Sequence, residues 1–331
     1  LYKLSVTAAE KAKFDKTSHP DVGLETYAFN FHSSEVMGLD TCIRKPLVVT
    51  CGRDKSIRVW NYVEKAAECE MHREEEAYSI AFHPSGLHVL VGYSDKLRLM
   101  NLLSTDIKEI KSVPIRGCRE CRFSNGGHMF AAVNNNQIHL FNTYTGDLVT
   151  ILKGHNMKVK SICWEPDDMR LISAGIDGAM YQWVLETGKR FQEHVDKSVQ
   201  YHCIVQNDAK SVMAVGNDFR LKEVIDYNQV KDYESSEEYT QVAVAHQKKI
   251  LFVGTAEGAI RMYRFPLSEN FLEYKVHSKR VNSLRVSFDE SYLFSVGDDS
   301  AVYIFQIVDN MVGRDVGGGG RRPDREVLPF S

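Results

Sequence analysis

The sequence predicts an all-β fold, a seven-bladed β-propeller, on three observations. Seven short segments, RDKSIRVWN, SDKLRLMN, NNQIHLFN, DGAMYQWV, DFRLKEVI, EGAIRMYR and DSAVYIFQ, each run from a turn into an alternating strand that reaches a large apolar anchor. The anchors, Trp60, Met100, Phe141, Trp183, Val224, Tyr263 and Phe305, lie 40, 41, 42, 41, 39 and 42 residues apart, the length of one four-stranded blade. No long helical periodicity interrupts them, and a helical solenoid of this period would not show β-alternation before every anchor.

Other columns align on the anchors. A carboxylate or Asn stands six residues before the anchor in six repeats, as Asp54, Asn135, Asp177, Asp218, Glu257 and Asp299; in the second repeat Asp95 stands five before, so that turn is shorter. A histidine stands 28 before in four repeats, as His32, His72, His155 and His277. A hydroxyl stands ten before in three of these, as Thr50, Ser173 and Ser295. Within the fourth repeat, Val159–Trp164, Leu171–Ala174, Ala179–Trp183 and Arg190–His194 read as four strands, with PDD and TG as turns between them.

This pattern resembles the WD-repeat family, most fully in the fourth repeat with Gly154-His155, Ser173, Asp177 and Trp183. The resemblance implies a buried network in which the His bonds the turn Asp, the hydroxyl joins the His, and the indole N–H satisfies the hydroxyl. Such a set satisfies polar groups that are otherwise costly to bury. The first repeat keeps it as His32, Thr50, Asp54 and Trp60. The seventh keeps His277, Ser295 and Asp299 but has Phe305 in place of the indole. The third, fifth and sixth lack the His and are expected to rely on side-chain interlocking. Four copies of a His–Asp pair read as architecture, since an enzyme has one site.

The last repeat supplies no fourth strand, and an open ring would leave an edge that aggregates. Leu24–Phe31, LETYAFNF, stands just before His32 and is expected to complete it, so that the propeller spans 24–309. Residues 1–23 read as a lead-in from a preceding domain, and 310–331, with GGGGRRP, as a Gly-rich linker. The first residue is Leu1 rather than Met, as expected of an excerpt.

The 331 residues are 43% hydrophobic and 26% charged with a net charge of −3, an ordinary globular composition that argues against a general nucleic-acid binder. No apolar run approaches the ~18 residues of a membrane helix. Seven scattered cysteines suggest free thiols in a reducing compartment.

GCRECRFSNGGH at 117–128 resembles half a zinc site or a redox dithiol. Cys118 and Cys121 are expected at the start of the third blade's first strand, where i and i+3 point to opposite faces, and a four-ligand site lacks its second pair. Both are expected to be structural thiols. No phosphate-binding, nucleophile-elbow or metalloprotease motif occurs, and no cofactor or metal is expected.

A propeller offers one broad surface, the face of the between-blade loops and tight turns. That face is expected to carry Arg53, Lys55, Arg116, Arg119, Lys158, Lys279 and Arg280 as a protein-binding set. It also carries Glu74, Glu75, Glu76, Glu237, Glu238 and Glu257. The signs divide by blade, acidic in the second and sixth, and segregated charge steers docking.

LDTCIRKPLVVT, EEAYSIAFHPSG, SDKLRLMNLL, RGCRECRFSNGGHMFAAVN and RRPDREV are similar to the second propeller of a family of cilia- and flagella-associated WD-repeat proteins, densely over 36–190 and more weakly from 195 to 305. The resemblance implies a non-enzymatic axonemal scaffold with protein partners among inner dynein arm or doublet-microtubule components. It further implies a role in motility and oligomer formation through a coiled coil outside this chain, without nucleic acid or membrane. The alternatives are a WD-repeat adaptor in a centriolar or trafficking complex and a propeller enzyme. An enzyme would gather His, Asp and Glu at the central channel, and the first strands offer no such set.

Overall fold

In the computed structural model the described residues are 2–5, 32–103 and 106–308, and every regular element among them is a strand. They form seven four-stranded sheets. The blades span 36–72, 77–113, 121–153, 159–195, 201–234, 239–275 and 281–308, the last with one added strand. Within a blade the strands pair antiparallel in chain order, innermost first.

Burial falls from axis to rim and explains the residue types. In blade 4 the second and third strands, RLISAG and AMYQWV, are almost wholly buried because neighbouring blades cover both faces. The fourth strand, KRFQEHV, is mostly exposed, and its charges blunt the sheet edge. All seven anchors are buried. They and their neighbours fill the space between blades: Val49 and Val59 of blade 1 join Phe82 and Val91 of blade 2. Val36, Leu39 and Val48 meet Phe294 and Val296 of blade 7, which closes the ring. Burying each such side chain stabilises by roughly 1.5–3 kcal/mol.

The turn between second and third strands repeats. The residue after the carboxylate is left-handed at Lys55, Gly178, Phe219, Gly258 and Ser300, and in blade 3 Asn135 itself takes this conformation. At Gly178 (φ 73°) a Cβ would also stand 2.0 Å from the Asp196 carbonyl oxygen, so only glycine fits.

A second device recurs at the axis. In six blades the first strand slips register after its first residue, leaving Met37, Tyr78, Lys160, His202, Thr240 or Asn282 as the extra residue of a bulge. Each of the six lines the central channel.

The fourth place in the last sheet is held by Tyr2–Ser5, which pairs parallel with Val302–Val308 in the register Tyr2↔Phe305 to Ser5↔Val308. The repeat pattern assigns that place to Leu24–Phe31, which lies outside the described residues, and it puts Tyr2–Ser5 in a lead-in segment. Outer strands explain the difference. They are exposed and carry little hydrophobic constraint, so alternation and nearness to His32 are weak guides to which stretch supplies one.

Candidate protein-binding face

In six blades the tight turn is tied by a backbone hydrogen bond to the loop that enters the same blade. Arg53 N–H donates to the Glu35 carbonyl, Ser94 to Glu76, Ile176 to Lys158, Asn217 to Gln200, Ala256 to Glu238 and Asp298 to Arg280. Turns and between-blade loops therefore form one continuous face, held by the sheets beneath.

Three blades fix this face with the His network. In blade 1 His32 Nδ1 lies 2.9 Å from Asp54 Oδ2 and Nε2 2.8 Å from Thr50 Oγ1, while Trp60 Nε1 donates to Thr50 Oγ1 at 2.9 Å. In blade 4 His155 lies 3.1 Å from both Asp177 oxygens and 2.8 Å from Ser173 Oγ, which accepts from Trp183 Nε1 at 2.8 Å. In blade 7 His277 joins Asp299 at 2.8 Å and Ser295 at 2.9 Å, and Phe305 fills the indole's place. Burial alone would raise the three carboxyls. Hydrogen bonds and charge from the histidines, with backbone N–H donors, outweigh it and hold Asp54, Asp177 and Asp299 below the ordinary carboxylate range.

His72 does not join such a set. It ends an exposed outer strand and bonds Glu70 at 2.8 Å. Blade 2 instead uses Arg98, whose guanidinium reaches Asp95 at 2.7 Å, Glu75 at 3.4 Å and Glu109 at 3.5 Å and lies over the Tyr93 ring. Blade 5 uses Lys222, 2.9 Å from both Asp196 and Asp218. The Ser198 hydroxyl and Lys222 together hold Asp196 down to about 2 against the opposing effect of burial. Blade 6 uses Arg261, bonded to Glu273 at 2.7 Å, Tyr239 Oη at 3.1 Å and Ser235, with Glu237 at 3.7 Å. The three cationic side chains are 4–7% exposed. Blade 3 has none of these and stacks Phe130 on Phe141 at 5.1 Å.

Arg98, Lys222 and Arg261 all stand two residues before their anchors, a column that continues as Arg58, His139, Tyr181 and Tyr303. That column is the sequence signal for them. It hides because its chemistry changes from blade to blade.

Four of the six acidic residues expected on the face are engaged by neighbouring side chains, while Glu74 and Glu257 are exposed. Glu75 serves Arg98 and Glu237 serves Arg261. Glu76 accepts from the Tyr78 hydroxyl, and Glu238 meets His202 at 2.8 Å and Arg280 at 3.8 Å. Of the basic set, Arg53 is paired with Glu35 at 2.6 Å. Lys55, Arg116, Arg119, Lys158 and Lys279 form no ion pair with a described residue, and all five are exposed. Arg119 lies over the Tyr78 ring at 4.8 Å.

The cysteine pair differs from the opposite-face geometry. The strand comprises only Cys121–Phe123, so Cys118 lies in the loop before it, where its thiol donates to the Glu120 carbonyl at 3.2 Å. Both thiols are free and buried. The hydrogen bond that the Cys121 thiol makes to Cys118, then burial, pushes that thiol well above its usual range. His128 lies apart, 3.4 Å from Ser124 Oγ. Among the described residues no three His, Cys, Asp or Glu side chains are grouped as metal ligands.

A family model described as the Echinoderm microtubule-associated protein second beta-propeller matches residues 36–307. The chain is 42% identical over 331 residues to Cilia- and flagella-associated protein 57 of Mus musculus, covering 99% of this chain and 26% of that protein. It is 32% identical over 321 residues to Cilia- and flagella-associated protein 57 A of Tetrahymena thermophila, covering 83% of this chain and 25% of that protein. It is 22% identical over 295 residues to Echinoderm microtubule-associated protein-like 4 of Mus musculus, covering 85% and 28%. The chain spans about a quarter of the length of these curated relatives.

Proposed function

We propose that this chain, which belongs to the family of the Echinoderm microtubule-associated protein second β-propeller, is a non-enzymatic scaffold domain that binds proteins in the ciliary axoneme. Its partners are inner dynein arm or doublet-microtubule proteins, and its role is to support dynein docking and motility. Similarity along nearly the whole chain to proteins named for cilia and flagella supports the location. The microtubule association in the family's name supports a doublet-bound partner.

The observation that carries the reading is the asymmetry of the loop face. Four of its six acidic residues are engaged with neighbouring side chains and two, Glu74 and Glu257, are exposed, while five basic residues, Lys55, Arg116, Arg119, Lys158 and Lys279, are exposed and form no ion pair with a described residue. A face of this kind presents positive charge to a complementary acidic protein and steers its approach. The test is capture of partners from ciliary extract by three proteins of verified fold: wild type, a Lys55→Glu/Arg116→Glu/Lys279→Glu triple variant, and Lys108→Glu on the exposed outer strand of blade 2. The triple variant is expected to lose partners that the other two retain. Equal recovery by all three would contradict the reading.

A further inference from the structure

We infer that the mouth of the central channel binds an acidic peptide segment, its carboxylates seated on Arg119, Lys158 and Lys160. This deepens the protein-scaffold reading and rests on it, because it names the chemistry that one partner presents.

The channel is a cavity of about 540 Å³ walled by the first strands of all seven blades. Six of its lining side chains are cations and one, Glu120, is a carboxylate. Glu120 is already engaged by Arg122 at 2.8 Å. Deeper in the channel Arg285 has Asp40 at 3.5 Å, and at the rim Arg280 has Glu238 at 3.8 Å. Arg119, Lys158 and Lys160 remain without an ion pair to any described residue.

The bulges place these groups. Each extra residue leaves the ladder and lines the channel, and bulges are common beside functional sites. Met37, Tyr78, Arg119, Lys160, His202, Thr240 and Asn282 follow one another at 41, 41, 41, 42, 38 and 42 residues. Arg119 thus holds in blade 3 the place that bulged residues hold elsewhere. Like charges are gathered here at a cost: burial, then Arg119, Arg280 and Lys158, push the Lys160 ammonium below its usual range. A bound anion relieves that repulsion.

A peptide fits better than a compact phosphate. The cations are spread over blades 3, 4 and 7 and over the channel's depth, as Arg119 and Lys160 near the mouth and Arg122 and Arg285 below. Carboxylates spaced along an extended segment match that spread, whereas a single phosphate meets only part of it. The Gln241 amide makes no side-chain hydrogen bond to a described residue and offers both a donor and an acceptor to a peptide backbone. Tyr78 and Met37 supply an apolar wall. The volume lies within the roughly 300–1,000 Å³ of ligand pockets, enough for a short segment and too small for a folded domain.

The test titrates the full 331-residue chain into a fluorescein-labelled peptide of Glu residues with Gly spacers and reads anisotropy. An all-Gln peptide is the neutral control and inorganic pyrophosphate the competing phosphate. The Glu peptide is expected to bind, to weaken as salt rises, and to weaken at least tenfold with Arg119→Ala and with Lys160→Gln, each confirmed folded by its melting curve. Lys108→Glu is expected to bind as wild type does. Equal binding of the all-Gln peptide, or unchanged affinity in both channel variants, would overturn the inference. So would binding of pyrophosphate without binding of the Glu peptide. If the Glu peptide fails while the triple rim variant still loses its ciliary partners, the channel inference alone falls and the scaffold reading stands.

Discussion

Blades 1, 4 and 7 hold their turns with a histidine, a hydroxyl and a carboxylate, whereas blades 2, 5 and 6 set a buried cation among carboxylates, which reaches the turn carboxylate in blades 2 and 5 and Glu237 and Glu273 in blade 6. The two solutions meet in blade 1, where buried Arg58 also reaches Glu70 at 2.9 Å, and they differ in where charge goes. In the first group a single carboxylate is satisfied locally, and nearby basic loop residues are left free. In the second, the face gathers acidic residues because an interior Arg or Lys requires them. Acidic character on a surface loop is therefore poor evidence of a docking site when a buried cation lies beneath it.

The comparison is broken most forcefully in a cation blade. Arg261→Met leaves Glu237 and Glu273 beside an apolar side chain, and their side chains are only 13% and 20% exposed. Removing one member of a buried pair costs about 3–5 kcal/mol, with partial exposure drawing the value to the lower end. Chemical denaturation measures it. A loss below about 1 kcal/mol would mean that the cation is not what holds the blade.

Next comes Asp177→Ala, expected to cost about 1–3 kcal/mol because buried His155 loses its acceptor. A smaller effect follows from pH. Asp54, Asp177 and Asp299 titrate below their unfolded values, so their contribution is complete above the ordinary carboxylate range, near about 4, and is lost as pH falls through it toward the folded values. Melting scans should show wild type losing stability across that interval with a steeper slope than Asp177→Ala. Parallel slopes would remove Asp177 from the linkage.

Asp218→Ala sharpens the contrast. Asp218 lacks a His and a Trp, yet Lys222 reaches it at 2.9 Å, so it is not the idle turn residue that the missing columns imply. Asp196 stays at 2.9 Å to keep Lys222 paired. The expected loss is under about 1 kcal/mol, smaller than for Asp177→Ala. Smallest is Lys279→Glu, an exposed loop change expected to fall within about 0.5 kcal/mol.

Much of this was legible in the sequence. Trp60 and Trp183 with their partners stand out because a buried polar set needs all its members at fixed spacing. The seven anchors stand out because each fills the same place between blades. Lys160 and His202 did not, since a one-residue bulge leaves the apolar alternation of a strand almost unchanged to the eye. Arg98, Lys222 and Arg261 did not, since charged residues in a strand read as solvent-facing until the neighbouring carboxylates are placed around them. Cys118 escapes strand geometry because the strand begins only at Cys121 and Cys118 stands in the loop before it.

The most direct test measures melting temperature and ciliary partner capture side by side for Arg261→Met and for the Lys55→Glu/Arg116→Glu/Lys279→Glu triple variant. Buried and free cations predict opposite outcomes: Arg261→Met melts lower but, below its melting point, recovers partners as wild type does. The triple variant melts as wild type does and loses them. A triple variant that keeps its partners, or that melts as low as Arg261→Met, would contradict the division of this face into structural and docking charge.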